Sequence, residues 1–467
     1  MSLPDYVVII CLFLFNALIA VGFSRNIKTF EVFAIGHRTF GTFVIFATLS
    51  ASFLGGGYTL GNAERVFNGG MLFALALLGF SLKEILMGQF IAPRMGRFHD
   101  CVSVGDIMEK AYGKPGKVFA GVFGMLVCTG ILGAQANAMG QIINTFFEGP
   151  PYVGTFIGFG FIVLYCTTGG MKAVVYTDVI QFLLLAIALP VLFYIGLQHV
   201  GGWHEVVEQT PVTFTAPSET PSFWFILTPL FLTFMLGETT VPPYAQRLLM
   251  AKNPEITRRA TLLSGFLSAP FFLLAGALGL IALVINPDIN GNQAIPFLAE
   301  TLLSPGWKGL VIAGLIAIVM SSASSFLNAA AICAVNDVIM PLRKAAINPS
   351  SLLWVVRIIT LVVGAFSLLF ALSFQNAMDA LVYAYNFWSP LILIPLLAVI
   401  LDVSTSQRQL WGSIVVSLLA MFICQQVPWW GGKLSTTVVG VVASLLSFLA
   451  LKRWKCSKDL SITETGI

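Results

Sequence analysis

The chain has 467 residues, 57% of them hydrophobic and only 10% charged, with a mean hydropathy of +0.89, whereas a soluble domain carries about a quarter charged residues. This composition excludes a soluble enzyme or nucleic-acid-binding protein and indicates an all-α polytopic membrane protein. The net charge of +4 matters only through where the basic residues lie. Seven cysteines with no CxxC spacing indicate neither a disulfide framework nor a metal site.

The N-terminus, MSLPDYVVII, has no basic stretch ahead of its apolar run and reads as a retained helix, not a cleaved signal. Apolar runs long enough to span a bilayer fall at about 5–23, 40–62, 70–95, 116–146, 152–170, 173–198, 222–246, 260–285, 306–340, 352–374, 378–400, 407–427 and 434–452, thirteen in all. Taking alternate connections as one side collects Arg25, Lys28, Arg38, Arg94, Arg97, Lys110, Lys114, Lys117, Lys172, Arg247, Lys252, Arg258, Arg259, Arg343, Lys344, Arg408, Lys452, Arg453, Lys455 and Lys458. These are twenty of the 25 Lys and Arg; the other side has only Arg65, Lys308 and Lys433, while Lys83 and Arg357 fall within spans. This bias puts the N-terminus outside and the C-terminus inside. The inner loop from Phe98 to Lys117 holds an amphipathic helix, the outer connection 199–221 is a solvated loop or gate, and the tail after Lys452 is expected to be disordered.

Two spans are interrupted, the second at Gly55-Gly56-Gly57 and the seventh at Gly237-Glu238-Thr239-Thr240-Val241-Pro242-Pro243. Irregular backbone at bilayer depth is tolerated only where it lines a cavity or is buried in protein. The breaks lie five spans apart in oppositely directed helices, the sign of an inverted repeat with a binding site where the broken helices meet. The organisation expected is an additional N-terminal helix and inner loop (1–39), a first repeat (40–198), an outer loop (199–221), a second repeat (222–400), and two C-terminal helices with a tail (401–467).

The ninth span, VIAGLIAIVMSSASSFLNAAAICAVND, carries Ser321, Ser322, Ser324, Ser325 and Asn328 in an otherwise apolar run. At about 3.6 residues per turn, Ser321, Ser324, Ser325 and Asn328 share one face. One or two serines could back-bond to the preceding turn or glue helices together. Five polar groups on adjoining faces indicate a hydrophilic centre of hard oxygen ligands. Asp178, early in the sixth span, is an intramembrane carboxylate and so a functional candidate; the alternatives are a salt bridge to Lys172 or a helix cap. Facing the serines, it would complete an oxygen-only site for Na⁺.

Glu238 sits at the second break beside Thr239, as a counter-charge for a cationic solute or as a protonated acid. Lys83 and Glu84 read as an ion-pair set with another span. Gln135 and Asn137 are hydrogen-bonding candidates, and Tyr383, Tyr385, Asn386 and Trp388 could form an aromatic gate. No enzyme signature is present: the four histidines lie in or next to loops, and there is neither a P-loop nor an HExxH.

GGMKAVVYTDVIQ, IVMSSASSFLNAAA, PPYAQRLLMAKN and ASFLGGGYTLGNAERV together resemble the sodium/solute symporter family along nearly the whole chain, most closely the branch with high-affinity choline transporters and their bacterial relatives. The resemblance implies a LeuT-like five-plus-five fold and symport driven by Na⁺. It implies a sodium site from the carbonyls of Ala47, Ser50 and Ile318 with the hydroxyls of Ser321 and Ser322. A second site, from Asp178, Ser321, Ser324 and Ser325, would make two ions per cycle instead of one. Where choline transporters place tryptophans this chain has Phe53, Ile131 and Val241, so the aromatic faces that a quaternary ammonium needs are missing.

The reading that follows is a non-enzymatic, multi-pass transporter of the cell membrane. It would carry a small organic solute, an amine or amino acid, inward with Na⁺ by alternating access. The solute would bind among Ser52, Phe53, Gly56, Gln135, Glu238, Thr239, Tyr383 and Trp388. Lipid and solute are the expected partners, with no nucleic acid and no obligate protein partner. Proton coupling, or a non-transporting solute sensor on the same fold, are the competing readings.

Overall fold

A computed structural model describes the chain except residues 25, 26, 28, 37, 147–150, 212–220, 344–347, 374–376, 427–434 and 461–467. Arg25, Lys28, Lys344, Lys433 and much of the outer connection therefore lie outside the described residues. Among those described, nine helices are long and apolar enough to cross a membrane, or up to eleven if each of two bent pairs is one span. The Pro151–Val200 helix has 50 residues, about 75 Å at 1.5 Å per residue, more than twice what a bilayer core needs. Its backbone breaks at Gly170 (φ 56°, ψ −171°), where the sequence places the boundary between the fifth and sixth spans. A helical segment does lie within 98–117: Val104–Phe146 breaks at Gly113, separating a short first segment from the span.

Both expected interruptions occur. Thr42–Phe53 and Gly57–Gly69 meet at 59°, and Phe223–Gly237 and Pro242–Met250 meet at 51°. The second break also holds Thr240 at φ 56°, a conformation that costs a β-branched residue free energy and concentrates at functional sites. A single β-bridge between Phe40 and Ala251, with Lys252 N donating to Phe40 O at 3.2 Å, pins the start of one broken helix to the end of the other.

Against these two lies the serine helix, Trp307–Ile332, continued by a π-helical turn, Cys333–Ile339. Nearly every residue of it is buried, whereas the Leu3–Ser24 helix is mostly exposed to the surroundings. It is therefore the axis of the bundle. Its N-terminus is held by Asp5, whose carboxylate accepts from the amides of Gly306 and Gly309 (both 2.8 Å), an anion where the helix dipole favours one. Its C-terminal end is held by Asp337, which accepts from Ser103 Oγ at 2.5 Å, and by Asn336, which donates to Asp106 at 2.9 Å.

Two expectations need correction. The tail does not fray at Lys452, because the last helix runs Thr436–Leu460; no Gly or Pro interrupts ALKRWKCSKDL. Arg247 is not in an inner loop. It is wholly buried within the second broken helix, only a turn and a half beyond the break.

Gly170 adopts a backbone region essentially closed to other residues, and a Cβ there would also crowd Phe33 and Ile27. Gly170→Ala should cost about 1–3 kcal/mol and lower the melting temperature of the purified protein. Gly160→Ala, in the same helix with nothing within 4 Å of the new methyl, should leave it unchanged or raise it, because alanine is the better helix former.

Candidate functional site

The serine stripe divides once its partners are known. Ser321 Oγ donates to Asp178 Oδ1 (2.6 Å), and Ser322 Oγ donates to Ser52 O (2.6 Å) and more weakly to Ala51 O (3.4 Å). Ser325 Oγ donates to Ser321 O (2.8 Å) and shares a 3.0 Å hydrogen bond with Ser52 Oγ. Ser324 back-bonds to Ser321 O at 2.9 Å, so its hydroxyl is turned into its own helix. Ser322 can approach the first break because Gly55 has no side chain: an added Cβ would collide with the Ser322 hydroxyl.

Of the expected sodium ligands, Ser321, Ser322, Ala47, Ser50 and Ile318 are all buried. The carbonyls that Ser322 reaches are those of Ala51 and Ser52, a turn beyond Ala47. Ser50 instead turns its hydroxyl to Ser264 Oγ (3.3 Å), and its carbonyl accepts from Leu54 N (3.0 Å) at the end of the half-helix. Ser52, expected among the solute ligands, belongs to this hydroxyl layer through its contacts with Ser325 and with Thr48 O (2.6 Å).

Asp178 does face the serines, but its ionic partner is Arg247, not Lys172. Arg247 Nη2 donates to Asp178 Oδ2 at 3.0 Å, and both side chains are wholly buried. The same Nη2 donates to Ser325 Oγ; Nε donates to Thr48 Oγ1 (3.1 Å) and Thr48 O (3.3 Å), and Nη1 to Pro243 O (3.0 Å). Thr48 Oγ1 also donates to Asp178 Oδ2. The place of a second cation beside Asp178 and Ser325 is thus taken by a guanidinium. The sequence hint was depth: only Leu248, Leu249 and Met250 separate Arg247 from Ala251 and Lys252, too few to carry it out of the bundle.

A second polar cluster lies at the other break. Glu238 is buried, and its Oε2 accepts from Tyr244 Oη at 2.6 Å. Lys83 and Glu84 pair with each other at 2.6 Å, not with another span as expected. The Lys83 ammonium lies 3.5 Å from the centroid of Phe80 and 5.2 Å from that of Tyr244, so ring faces stabilise the charge. Phe53 packs against Phe80 and Tyr244, and the hydroxyls of Tyr58 and Tyr385 bond to each other.

Gln135 and Trp388 serve the breaks directly. Gln135 Oε1 accepts from Gly56 N (2.9 Å), and Trp388 Nε1 donates to Thr239 O (3.0 Å). The Thr239 hydroxyl bonds back to Met235 O (2.9 Å), while Ser389, which the sequence reading missed, donates to the freed carbonyls of Leu236 and Gly237 (2.6 Å each). Tyr383 does not join this set: it is half-exposed and packs on Phe387 and Phe370, while Tyr385 points inward. A cavity of about 340 Å³ adjoins the cluster, with Lys83 and Thr239 the polar residues in its wall and Met87, Ile91, Leu236 and Leu397 among the apolar ones.

Two helices broken at mid-bundle and facing one another across a buried polar layer are the architecture of a secondary transporter. The model of the sodium:solute symporter family matches residues 33–416, and the chain belongs to that family. It is 28% identical to the human high affinity choline transporter 1 over 368 residues, 72% of this chain and 60% of that one, so it aligns with about three-fifths of the relative's length. It is also 28% identical to the human sodium-coupled monocarboxylate transporter 2 over 247 residues, 50% and 38% of the two chains. The structure of a Na⁺-coupled sialic acid symporter, in a substrate-bound outward-open state with a novel Na⁺ site, superposes with a TM-score of 0.80, covering 96% of each chain at 20% identity. The fold is therefore the one seen in that symporter.

Removing one partner of a buried ion pair leaves an uncompensated charge and costs about 3–5 kcal/mol, whereas replacing both by apolar groups can be close to neutral. Asp178→Asn should accordingly destabilise the protein more than Asp178→Asn combined with Arg247→Met. Denaturation midpoints of the two variants in detergent provide the check.

Proposed function

We propose that the protein is a Na⁺-coupled symporter, carrying a small organic solute, an amine or amino acid, into the cell across the cell membrane. In this reading thirteen spans run from an outer N-terminus to an inner C-terminus, with inverted repeats over 40–198 and 222–400. The observation that carries it is the contact of Ser322 with the backbone carbonyls of the first broken helix, at 2.6 Å to Ser52 O. Hydroxyl and carbonyl oxygens converge there from two helices, and an ion of Na⁺ size would bind between them once the neutral Ser322 hydroxyl turns its proton away and the two oxygens part. Ser321 supplies a further hydroxyl. One Na⁺ bound in this way holds the serine helix to the first broken helix, completing the solute pocket beside the break. Each charge moved inward gains about 2.3 kcal/mol per 100 mV, roughly a fifty-fold concentration ratio.

A second ion at Asp178, Ser321, Ser324 and Ser325 would have to displace Arg247. The conformation described here therefore favours one Na⁺ per cycle.

The test needs no knowledge of the solute. At ten times its dissociation constant, a bound ion adds about 1.4 kcal/mol of stability, so the melting temperature of purified protein should rise when K⁺ is exchanged for Na⁺ at constant ionic strength. Ser322→Ala should weaken the apparent Na⁺ affinity at least about ten-fold, the loss of one ligand at roughly 1.4 kcal/mol. Equal stability in Na⁺ and K⁺ would rule the reading out.

A further inference from the structure

The Lys83–Glu84–Glu238 cluster carries information about the solute that the family does not. Its three ionisable side chains are all buried: Lys83 and Glu84 are 3% and 5% exposed and Glu238 is 1% exposed. Lys83 pairs with Glu84 and is linked to Glu238 through one ring, since Tyr244 lies under the ammonium and donates its hydroxyl to the carboxylate. Two carboxylates therefore share one ammonium. The buried cation of the half-helix that carries Tyr244, Arg247, is held by Asp178. Glu238 also has an oxygen to spare, because Oε1 is buried and accepts no hydrogen bond. The neighbouring tyrosines, Tyr58 and Tyr385, are bonded to each other and bring dipoles but no positive charge. A buried carboxylate short of a counter-charge is costly; a proton relieves it while the site is empty, and a cation bearing N–H supplies both the charge and a donor to Oε1 when the site is filled.

We propose that Glu238 Oε1 is the seat of a protonated primary or secondary amine, which makes the solute a compact organic ammonium, neither a quaternary ammonium nor a free carboxylate. This rests on the symport reading of the same site. A quaternary nitrogen has no N–H to give Oε1, and it needs ring faces around it. Here Tyr244 gives Glu238 its hydroxyl, Tyr58 and Tyr385 bond to each other, and the face of Phe80 is already taken by the Lys83 ammonium. An added carboxylate would deepen the charge excess, because Lys83 is already matched by Glu84.

The charge count separates this proposal from a simple contact. Glu84→Gln touches no solute, yet it frees Lys83 to balance Glu238 and should weaken amine binding as Glu238→Gln does. The experiment is a melting-temperature titration of the full-length protein in Na⁺ and in K⁺ with three probes of matched chain: n-butylammonium, butyltrimethylammonium and pentanoate. Butylammonium should stabilise in Na⁺ with at least ten-fold higher apparent affinity than its trimethyl counterpart, and pentanoate should have no effect. Glu238→Gln and Glu84→Gln should each lower the butylammonium affinity ten-fold or more while the Na⁺ response persists. The proposal is overturned if pentanoate stabilises, if the quaternary probe matches the primary one, if neither amine acts although Na⁺ does, or if Glu84→Gln leaves amine binding intact. Loss of the Na⁺ response in the unaltered protein would instead overturn the symport reading itself.

Discussion

The guanidinium of Arg247 reaches four parts of the bundle at once. From the second broken helix it donates to Thr48 on the first, to Asp178 on the long Pro151–Val200 helix and to Ser325 on the serine helix, as well as to Pro243 in its own turn. In a medium of low dielectric none of these donors can be left bare without a cost of several kcal/mol. The four helices are consequently bound to keep their mutual positions or to exchange this cation's partners together. Asp178 and the serines, which look from sequence like an ion site, are first of all the socket for an arginine.

The same demand governs the two breaks. Interrupting a helix at bilayer depth frees amides and carbonyls that lipid cannot satisfy, and here other helices supply the partners. Gln135 takes the amide of Gly56, Trp388 gives its indole N–H to Thr239 O, and Ser389 serves Leu236 and Gly237. Polar residues near a transporter centre invite assignment to the solute, yet Gln135 and Trp388 already have a backbone role. Beside the second break, Glu238 Oε1 has no such partner.

The spans, both interruptions, the serine helix and the family were legible because each is a local signal of composition or motif. Depth and direction were not. By sequence Arg247 falls among the inner charges because the seventh apolar run ends at about 246, and only the short, wholly buried half-helix Pro242–Met250 reveals its depth. Lys83 and Glu84 looked destined for separate partners, since neighbours on a helix do not face each other. The Phe80 ring, one turn back, draws the ammonium aside and lets the pair form. Tyr383 and Tyr385 could not be told apart by period because their helix ends at Tyr385, and the turn after it sets which ring points inward. Ser324, on the right face of an ideal helix, spends its hydroxyl on its own backbone.

The proposed cycle joins two cations, Na⁺ and an ammonium, whose direct interaction is repulsive. Coupling between them therefore has to come through structure, since a ligand shifts an equilibrium only by its differential affinity for the two states. The first broken helix provides the route within two residues. The carbonyl of Ser52 meets Ser322 at the sodium layer, and the side chain of Phe53 packs on Phe80 and Tyr244, the rings that carry Lys83 and position Glu238. An ion that fixes the peptide at Ser52 fixes the next Cα as well, and with it one wall of the amine site. Binding at either place then orders the same turn of backbone, so the second ligand meets a site whose ordering cost is already met.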